Sequence, residues 1–201
     1  MASIYDIKPA FQSLLRPLCG KLAAQGVTAN QVTIVALLLS LLTGGGLAIF
    51  YTQSWAFLLI PVVMFVRMAL NAIDGMLARE HNMKTALGAI LNELCDVLAD
   101  AALYLPFALL SGVWSWLVVW VVIFAVITEM MGVVAVQIGA SRRYDGPMGK
   151  SDRAFVFGAI ALALGLGVNA GMWLNGLLGV VLVLTVWTVF NRARQALAEL
   201  A

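Results

Sequence analysis

Long apolar runs recur along almost the whole chain and restrict it to a narrow class of folds. The sequence is 63% hydrophobic and only 11% charged, whereas an average soluble domain is nearer half apolar and a quarter charged. At 1.5 Å per residue, most of these runs can cross a hydrocarbon core of roughly 30 Å as helices. The runs cover about residues 32–51, 54–74, 85–111, 113–140, 153–168 and 172–190. We therefore predict an all-α, polytopic membrane protein in one domain, with six transmembrane helices.

The positions of the lysines and arginines indicate how these helices are oriented. They cluster in the N-terminal arm, in the loops near residues 80 and 145, and in the C-terminal tail, whereas the turns near 51–54, 111–115 and 168–172 contain none. The positive-inside rule then predicts that both termini and the basic loops are cytoplasmic. The expected location is the bacterial inner membrane. The net charge of +2 accordingly indicates topology and attraction to anionic lipid, not nucleic-acid binding.

The N-terminal arm has the pattern of an amphipathic helix, with Phe11 and several leucines on one face and Arg16 and Lys21 off it. This pattern fits a helix lying in the lipid headgroup region, although an amphipathic helix packed on the bundle would show it too. The spacing of Thr28 and Gln31 is that of a capping box, which would start the first transmembrane helix near residue 29. The predicted domain therefore consists of a cytoplasmic arm (1–28), a six-helix bundle (29–192) and a cytoplasmic tail (193–201).

Polar and charged side chains interrupt the second and third apolar runs at helical spacing. An ionisable group in hydrocarbon costs roughly 2.5–3.5 kcal/mol on insertion scales, so it marks a candidate functional site. In an antiparallel hairpin that turns between the two runs, Asp74 lies level with Asn92, and Asn71 lies level with Asp96. Within each helix the two residues are three or four apart and share one face. Four oxygen-bearing side chains are thus predicted to converge at the cytoplasmic edge of the membrane.

The converging side chains indicate the chemistry of the site. Carboxylate and amide oxygens suit hard cations such as Mg²⁺, Mn²⁺ or Ca²⁺, and the sequence has no His or Cys cluster that would favour zinc. A divalent ion at a membrane surface most often handles phosphate. Basic residues on the same side supply phosphate-binding charge, and they are Arg79, Lys84, Arg142, Arg143, Lys150 and Arg153. Gly75, Ala78 and Gly88 would let a ligand come close, although tight helix packing would explain the glycines alone.

One segment resembles the signature of the CDP-alcohol phosphotransferase family, D-x2-D-G-x2-A-R-x8-G-x3-D-x3-D. In this chain it reads Asn71-x2-Asp74-Gly75-x2-Ala78-Arg79-x8-Gly88-x3-Asn92-x3-Asp96. The resemblance implies an integral membrane enzyme that moves a substituted phosphate from a CDP-alcohol to a hydroxyl acceptor and releases CMP. The expected donor is CDP-diacylglycerol, and the expected partners are membrane lipids and a second copy of the chain in a homodimer.

The resemblance also implies roles for individual residues. The four acidic positions of the family would bind one or two divalent ions, Mg²⁺ or Mn²⁺, and here they are Asn71, Asp74, Asn92 and Asp96. The last of them, Asp96, would be the catalytic base on the acceptor hydroxyl. The positions that contact the nucleotide are Gly75, Ala78, Arg79 and Gly88. The basic loop would bind an anionic acceptor or a lipid phosphate through Arg142, Lys150 and Arg153.

The chain departs from the family pattern at Asn71 and Asn92, where two formal negative charges are lost. We expect weaker metal binding, with one ion in place of two. Glu93, turned about 100° round the helix from Asn92, either restores a carboxylate to the site or lines a neighbouring cavity. Because Asp74 and Asp96 remain, we favour a divergent active enzyme over a non-catalytic descendant that binds nucleotide-lipid or regulates a partner. A cation transporter is disfavoured, since the polar groups cluster at one level and no inverted repeat is evident.

Three further charges lie inside the apolar runs, namely Arg67, Asp100 and Glu129. The hairpin register that pairs Asn71 with Asp96 also brings Arg67 level with Asp100, and Glu129 lies at a similar depth. Buried charges must be paired, so we predict a contact between Arg67 and at least one of the two carboxylates. A structural ion cluster that locks three helices is favoured over a proton path.

Overall fold

The chain folds into helices throughout the part described by the computed structural model, which is residues 4–201, with side chains from residue 9 onward. This range contains no strand, which confirms the predicted all-α class, while residues 1–3 of the predicted arm lie outside it. The α-helices are α1 (Ile4–Ala24), α2 (Ala29–Ile49), α3 (Ser54–Glu80), α4 (Ala86–Tyr104), α5 (Ser115–Gln137), α6 (Lys150–Gly165) and α7 (Met172–Leu200). A short 3-10 helix, Leu105–Leu109, follows α4 directly.

Four helices are long and apolar enough to cross a membrane, namely α2, α3, α5 and α7. The remaining two helices of the predicted six are less clear. At 19 residues α4 is long enough, but it contains Glu93, Asp96 and Asp100, while α6 has only 16 residues. The chain is thus a helical membrane protein with four candidate spans, and the other two spans stay a prediction.

The N-terminal helix α1 packs against α2 and α3. Cys19 of α1 is fully buried in an apolar cluster that includes Met76 of α3, and Leu15 and Leu22 pack against the same cluster. By contrast, Leu14 is 75% exposed. The predicted amphipathic helix therefore exists and uses part of its apolar face to pack on the bundle, while its placement at the lipid surface stays a prediction.

Side-chain caps mark the starts of α2 and α4. The predicted capping box is present, because Thr28 Oγ1 accepts a hydrogen bond from the Gln31 amide at 3.3 Å, and Gln31 Oε1 accepts one from the Thr28 amide at 2.9 Å. At the start of α4, Thr85 Oγ1 accepts a hydrogen bond from the Gly88 amide at 2.8 Å. Local sequence therefore fixes where α2 and α4 begin.

The helix α2 is the main packing partner of both α3 and α4, which carry the two halves of the motif. These two helices are therefore joined through α2 and do not form the closely packed hairpin that the sequence suggests. Close approach of α2 to α4 requires Gly44, since a Cβ there would lie 2.0 Å from the carbonyl oxygen of Ala102. No such atom lies near Gly45 or Gly46, so a packing role is found for Gly44 alone.

We expect Gly44→Ala to destabilise the protein, because the added methyl group must push α2 away from a backbone carbonyl of α4. Overpacking of this kind typically costs about 1–3 kcal/mol. Gly45→Ala and Gly46→Ala are matched controls, since neither added methyl would meet a neighbour and alanine favours helix. Thermal unfolding of the three variants in one detergent measures the difference. Equal midpoints would contradict the packing role of Gly44.

Buried apolar side chains form two main clusters, and α3 contributes to both. Phe57 and Ile60 belong to the larger cluster, which is shared with α4 to α7, whereas Ile73 and Met76 belong to the smaller cluster with α1 and α2. Arg67 lies between these two pairs along α3 and is itself buried. The fold thus places its intramembrane polar groups in a layer between two apolar clusters.

Candidate active site

The carboxylate of Asp96 on α4 is the point where three helices meet. Its Oδ1 accepts a hydrogen bond from Asn71 Nδ2 of α3 at 3.1 Å and another from Arg67 Nη2 at 3.3 Å. Its Oδ2 contacts the ammonium of Lys150, which is the first residue of α6. The predicted approach of Asn71 to Asp96 is confirmed. The side chain of Asp96 remains 25% exposed, so the carboxylate is accessible from outside the protein.

The second motif carboxylate, Asp74, is buried and faces α2. Its Oδ2 accepts a hydrogen bond from Thr33 Oγ1 at 2.7 Å. Asn92 is exposed on α4, and no hydrogen bond joins it to Asp74 within residues 9–201. The predicted level alignment of these two residues therefore stays a prediction. The sequence did not single out Thr33 as a site residue, although it lies two residues after Gln31 of the predicted capping box.

The small residues of the motif accommodate neighbouring polar side chains. The guanidinium of Arg79 lies over Gly75, where an added Cβ would be 3.1 Å from Nη2. An added Cβ at Gly88 would lie 2.7 Å from Asn30 Oδ1 of α2. Ala78 is half-buried beside the smaller apolar cluster. The two glycines therefore have packing reasons of their own, and contact of these four positions with a nucleotide stays a prediction.

The predicted contact of Arg67 is made with Asp100. Arg67 Nη1 lies 2.5 Å from Asp100 Oδ1, and both side chains are about 95% buried. The Nη2 group of the same arginine reaches Asp96, where it also donates to the backbone oxygen at 3.1 Å. Arg67 therefore links a buried ion pair to the candidate base.

Glu129 lies at the centre of a second cluster, which contains three arginines. Its carboxylate is within 3.0 Å of Arg153 Nη2, 3.4 Å of Arg192 Nη1 and 3.5 Å of Arg142 Nη2. It makes no ion pair with Arg67 in the described part of the chain. Arg153 connects the two clusters, because its Nη2 also lies 3.8 Å from Asp100 Oδ2. Through Asp100 and Arg153, the ion pairs thus join α3, α4, α5, α6 and α7, whereas the sequence predicted a cluster of three helices.

Two of the three basic residues expected at the mouth of the site are paired inside the protein. Arg153 is fully buried, since α6 turns it inward toward Glu129. Arg142 forms two hydrogen bonds with Glu93, at 2.8 and 2.6 Å. Glu93 accordingly binds an arginine and adds no carboxylate to the motif positions. Only Lys150 of the three reaches Asp96, as a partly exposed side chain.

Arg192 is a site-supporting residue that the sequence analysis missed. The helix α7 continues through the predicted tail 193–201 up to Leu200. Arg192, which precedes that tail, is buried in the bundle and is 1% exposed. Its Nε donates to the backbone oxygen of Asp145 at 3.2 Å and so holds the loop before α6. In that loop Arg143 donates to the Asp145 carboxylate at 2.7 Å and holds its pKa below the usual value.

The donor atoms at the motif fit a hard cation. They are the carboxylates of Asp74 and Asp96 and the side-chain amides of Asn71 and Asn92, which suit Mg²⁺ or Mn²⁺. In the described part of the chain, no three His, Cys, Asp or Glu side chains are grouped to hold a metal ion. Two of the four motif positions are asparagines, so the motif itself contains only two carboxylates.

Known proteins resemble this chain over most of its length. Residues 26–190 match the model of the CDP-alcohol phosphatidyltransferase family. The inner membrane protein YnbA of Escherichia coli K12 is 49% identical over 195 residues, which cover 97% of this chain and 96% of that protein. The archaetidylinositol phosphate synthase of Pyrococcus horikoshii is 33% identical over 110 residues, 55% of each chain.

The fold is also that of a solved enzyme, the phosphatidylinositol phosphate synthase PgsA1 of Mycobacterium tuberculosis. Its structure with CDP-DAG bound superposes with a TM-score of 0.73 at 20% sequence identity, over 90% of this chain and 92% of the other. The structure of PgsA1 with manganese and citrate gives the same TM-score. Because the family match contains the whole signature segment and its converging side chains, the chain belongs to the CDP-alcohol phosphatidyltransferase family.

Proposed function

We propose that this chain transfers a substituted phosphate from a CDP-alcohol to a hydroxyl acceptor and releases CMP. The observation that carries the proposal is the hydrogen bond from Asn71 to Asp96 at 3.1 Å. It brings the first and last positions of the signature together from two different helices. Convergence of these two positions in space is what a shared binding site requires.

The proposed donor is CDP-diacylglycerol. The solved PgsA1 holds CDP-DAG, and the two chains share their fold. The motif also lies on helices embedded among membrane-spanning ones, so a diacyl donor can keep its acyl chains in the bilayer while its diphosphate reaches the motif. Contacts to the nucleotide are assigned to the small residues and the arginine of the motif, which are Gly75, Ala78, Arg79 and Gly88.

Asp96 is the proposed catalytic base. The acceptor hydroxyl attacks the phosphorus that carries the diacylglycerol, a new O–P bond forms, the bond to CMP breaks, and Asp96 takes the hydroxyl proton. Its carboxylate suits this role because it is partly exposed while Asn71 and Arg67 hold it in place. Lys150 is the proposed phosphate contact on the acceptor side, since a lysine ammonium binds phosphate as a point charge. Arg153 supports this arrangement by holding α6 in place through its buried ion pair with Glu129.

A divalent ion, Mg²⁺ or Mn²⁺, would be held by Asp74 and Asp96 together with amide oxygens of Asn71 and Asn92, and would offset the charge of the donor diphosphate. Thr33 orients the Asp74 carboxylate by holding its Oδ2. PgsA1 has been solved with manganese, which supports divalent chemistry in this fold.

In the membrane, we propose six spans with both termini and the active site at the cytoplasmic face. The carboxylates of α4 do not argue against a span, because Asp100 is buried and paired, and Asp96 and Glu93 each contact a cation. With 16 residues, α6 rises about 24 Å, somewhat less than a typical hydrocarbon core. The Escherichia coli relative is named an inner membrane protein, which supports a location in the bacterial inner membrane. The homodimer that the family resemblance implies stays a prediction.

The experiment that tests the function is a CMP-release assay with purified protein in CDP-diacylglycerol liposomes, offered glycerol phosphate, inositol phosphate or serine. We expect CMP only when one of these acceptors and Mg²⁺ or Mn²⁺ are present, loss of release with EDTA, and recovery when the metal is restored. Inverted inner-membrane vesicles should release CMP to the outer solution, because the proposed site is cytoplasmic.

Binding of CDP-diacylglycerol without CMP release from any acceptor would favour the non-catalytic alternative. CMP release that persists in EDTA would contradict the metal dependence but not the transfer reaction.

A further inference from the structure

Lys150 contacts the metal-binding motif in a way that the sequence pattern does not indicate. Its ammonium lies against Asp96 Oδ2, while the other oxygen of this carboxylate is taken by Asn71 and Arg67. Lys150 comes from α6, whereas the motif residues come from α3 and α4. The side chain is 31% exposed, so it sits at the accessible side of the carboxylate.

The formal charges at the motif leave room for one divalent ion. Four carboxylates would balance two divalent ions, but Asn71 and Asn92 are neutral here, so only Asp74 and Asp96 are anionic. The charge of Arg67 is matched separately by Asp100 at 2.5 Å. A second divalent ion would therefore face two neutral amides next to the ammonium of Lys150, and like charges at such short range repel strongly.

Lysine is also chemically suited to the place of a missing cation. It is a compact positive charge with three donors on a flexible stem, and it binds both carboxylate and phosphate. In contact with Asp96 it offsets one negative charge without needing the ligand geometry that a metal ion demands. The two neutral asparagines and the ammonium of Lys150 thus both make the motif less negative.

We propose that this chain holds a single divalent ion at the motif and that Lys150 supplies, at Asp96, the positive charge of a second one. The proposal rests on the proposed function for the presence of the metal site, and it assigns Lys150 a role in metal stoichiometry. Restoring the two carboxylates while removing the ammonium should then create a second metal site.

The test is a Mn²⁺ titration of the detergent-purified protein without substrate. Bound ions are counted by calorimetry and by the decrease in the electron paramagnetic resonance signal of free Mn²⁺. We expect one Mn²⁺ per wild-type chain. Lys150→Met should tighten this site by about tenfold or more, because a neighbouring positive charge is removed. Lys150→Arg, which keeps the charge, should bind like the wild type.

Combined variants distinguish the effect of Lys150 on the number of bound ions from the effect of the two asparagines. Asn71→Asp with Asn92→Asp should still bind one ion, more tightly, whereas adding Lys150→Met to these two changes should give two ions per chain. Adding Lys21→Met in place of Lys150→Met is the matched control, since Lys21 is an exposed lysine of α1. It should leave the count at one.

The proposal is overturned if the wild-type chain binds two Mn²⁺ ions or none. It is also overturned if the triple variant with Lys150→Met binds only one. If that variant does not elute as a folded species, the comparison of wild type with Lys150→Met decides, and equal Mn²⁺ affinities overturn the role of Lys150. CMP release measured on the same samples separates the two proposals. If the wild-type chain binds one Mn²⁺ but releases no CMP, the proposed function is wrong and the inference about metal stoichiometry stands. If it binds two Mn²⁺ and releases CMP, the proposed function stands and the inference is wrong.

Discussion

Asp96→Asn is expected to lower CMP release by about 10²–10⁴-fold, the usual contribution of a general base in catalysis. The substitution keeps the shape of the side chain, and its amide oxygen can still accept the hydrogen bonds from Asn71 and Arg67. It removes the group that takes the proton, which is also one of the two carboxylates of the proposed metal site and the charge that faces Lys150. Arg67 is not left unpaired, because Asp100 remains 2.5 Å away. The loss should therefore appear in turnover and not in folding.

The measurement is the initial rate of CMP release at saturating metal, with thermal unfolding recorded for the same preparation. Asp152→Asn is the matched control, since this exposed carboxylate of α6 accepts a hydrogen bond from the Gly149 amide at 2.9 Å, which an amide oxygen can also accept. It should retain turnover. Wild-type turnover in Asp96→Asn would remove Asp96 from the mechanism, and unfolding of the variant would assign it a structural role.

The largest effect on stability is expected for Arg67→Ala. The ion pair of Arg67 with Asp100 is about 95% buried on both sides, and removal of one partner of such a pair typically costs about 3–5 kcal/mol, because the other charge is stranded. The nearest remaining cation is Arg153, 3.8 Å from Asp100 and already engaged with Glu129 at 3.0 Å. It cannot replace the lost contact without leaving Glu129.

Thermal unfolding in one detergent, with Arg194→Ala as the control, measures this effect. Arg194 is an exposed arginine of α7, so its removal should change the midpoint little. The double variant Arg67→Met with Asp100→Leu should recover part of the loss, because no buried charge is then left unpaired. An Arg67→Ala protein that unfolds together with Arg194→Ala would show that the pair contributes no net stability.

Much of the fold could be predicted from the sequence because the relevant interactions are local. The two residues of the capping box, Thr28 and Gln31, are three positions apart, so their contact depends on local geometry. Helix length follows from the apolar runs, and the end of α7 was misplaced only because its last turns are polar. The family signature was readable for the same reason, since it occupies one continuous segment.

The contact of Arg67 with Asp100 and that of Asn71 with Asp96 were also predictable, although they join different helices. Two antiparallel helices on either side of a short turn share one register, so a single sum of residue numbers predicts which residues lie level with each other. The sequence could not show that α2 lies against both of them and separates their backbones. The sequence therefore predicted the register of the two helices but not the packing of α2 against both.

The sequence by itself determined the helices, the caps, the oxygen-donor chemistry of the motif and the register of its two halves. Only the tertiary structure decided which distant side chains complete the site: Thr33 on Asp74, 41 residues away, Lys150 on Asp96, and three arginines on Glu129. The physical reason is that a buried charge takes whichever partner the packing of helices brings within reach. Residue spacing fixes geometry within one helix or one hairpin, but the rotation and approach of α2, α6 and α7 depend on the whole core.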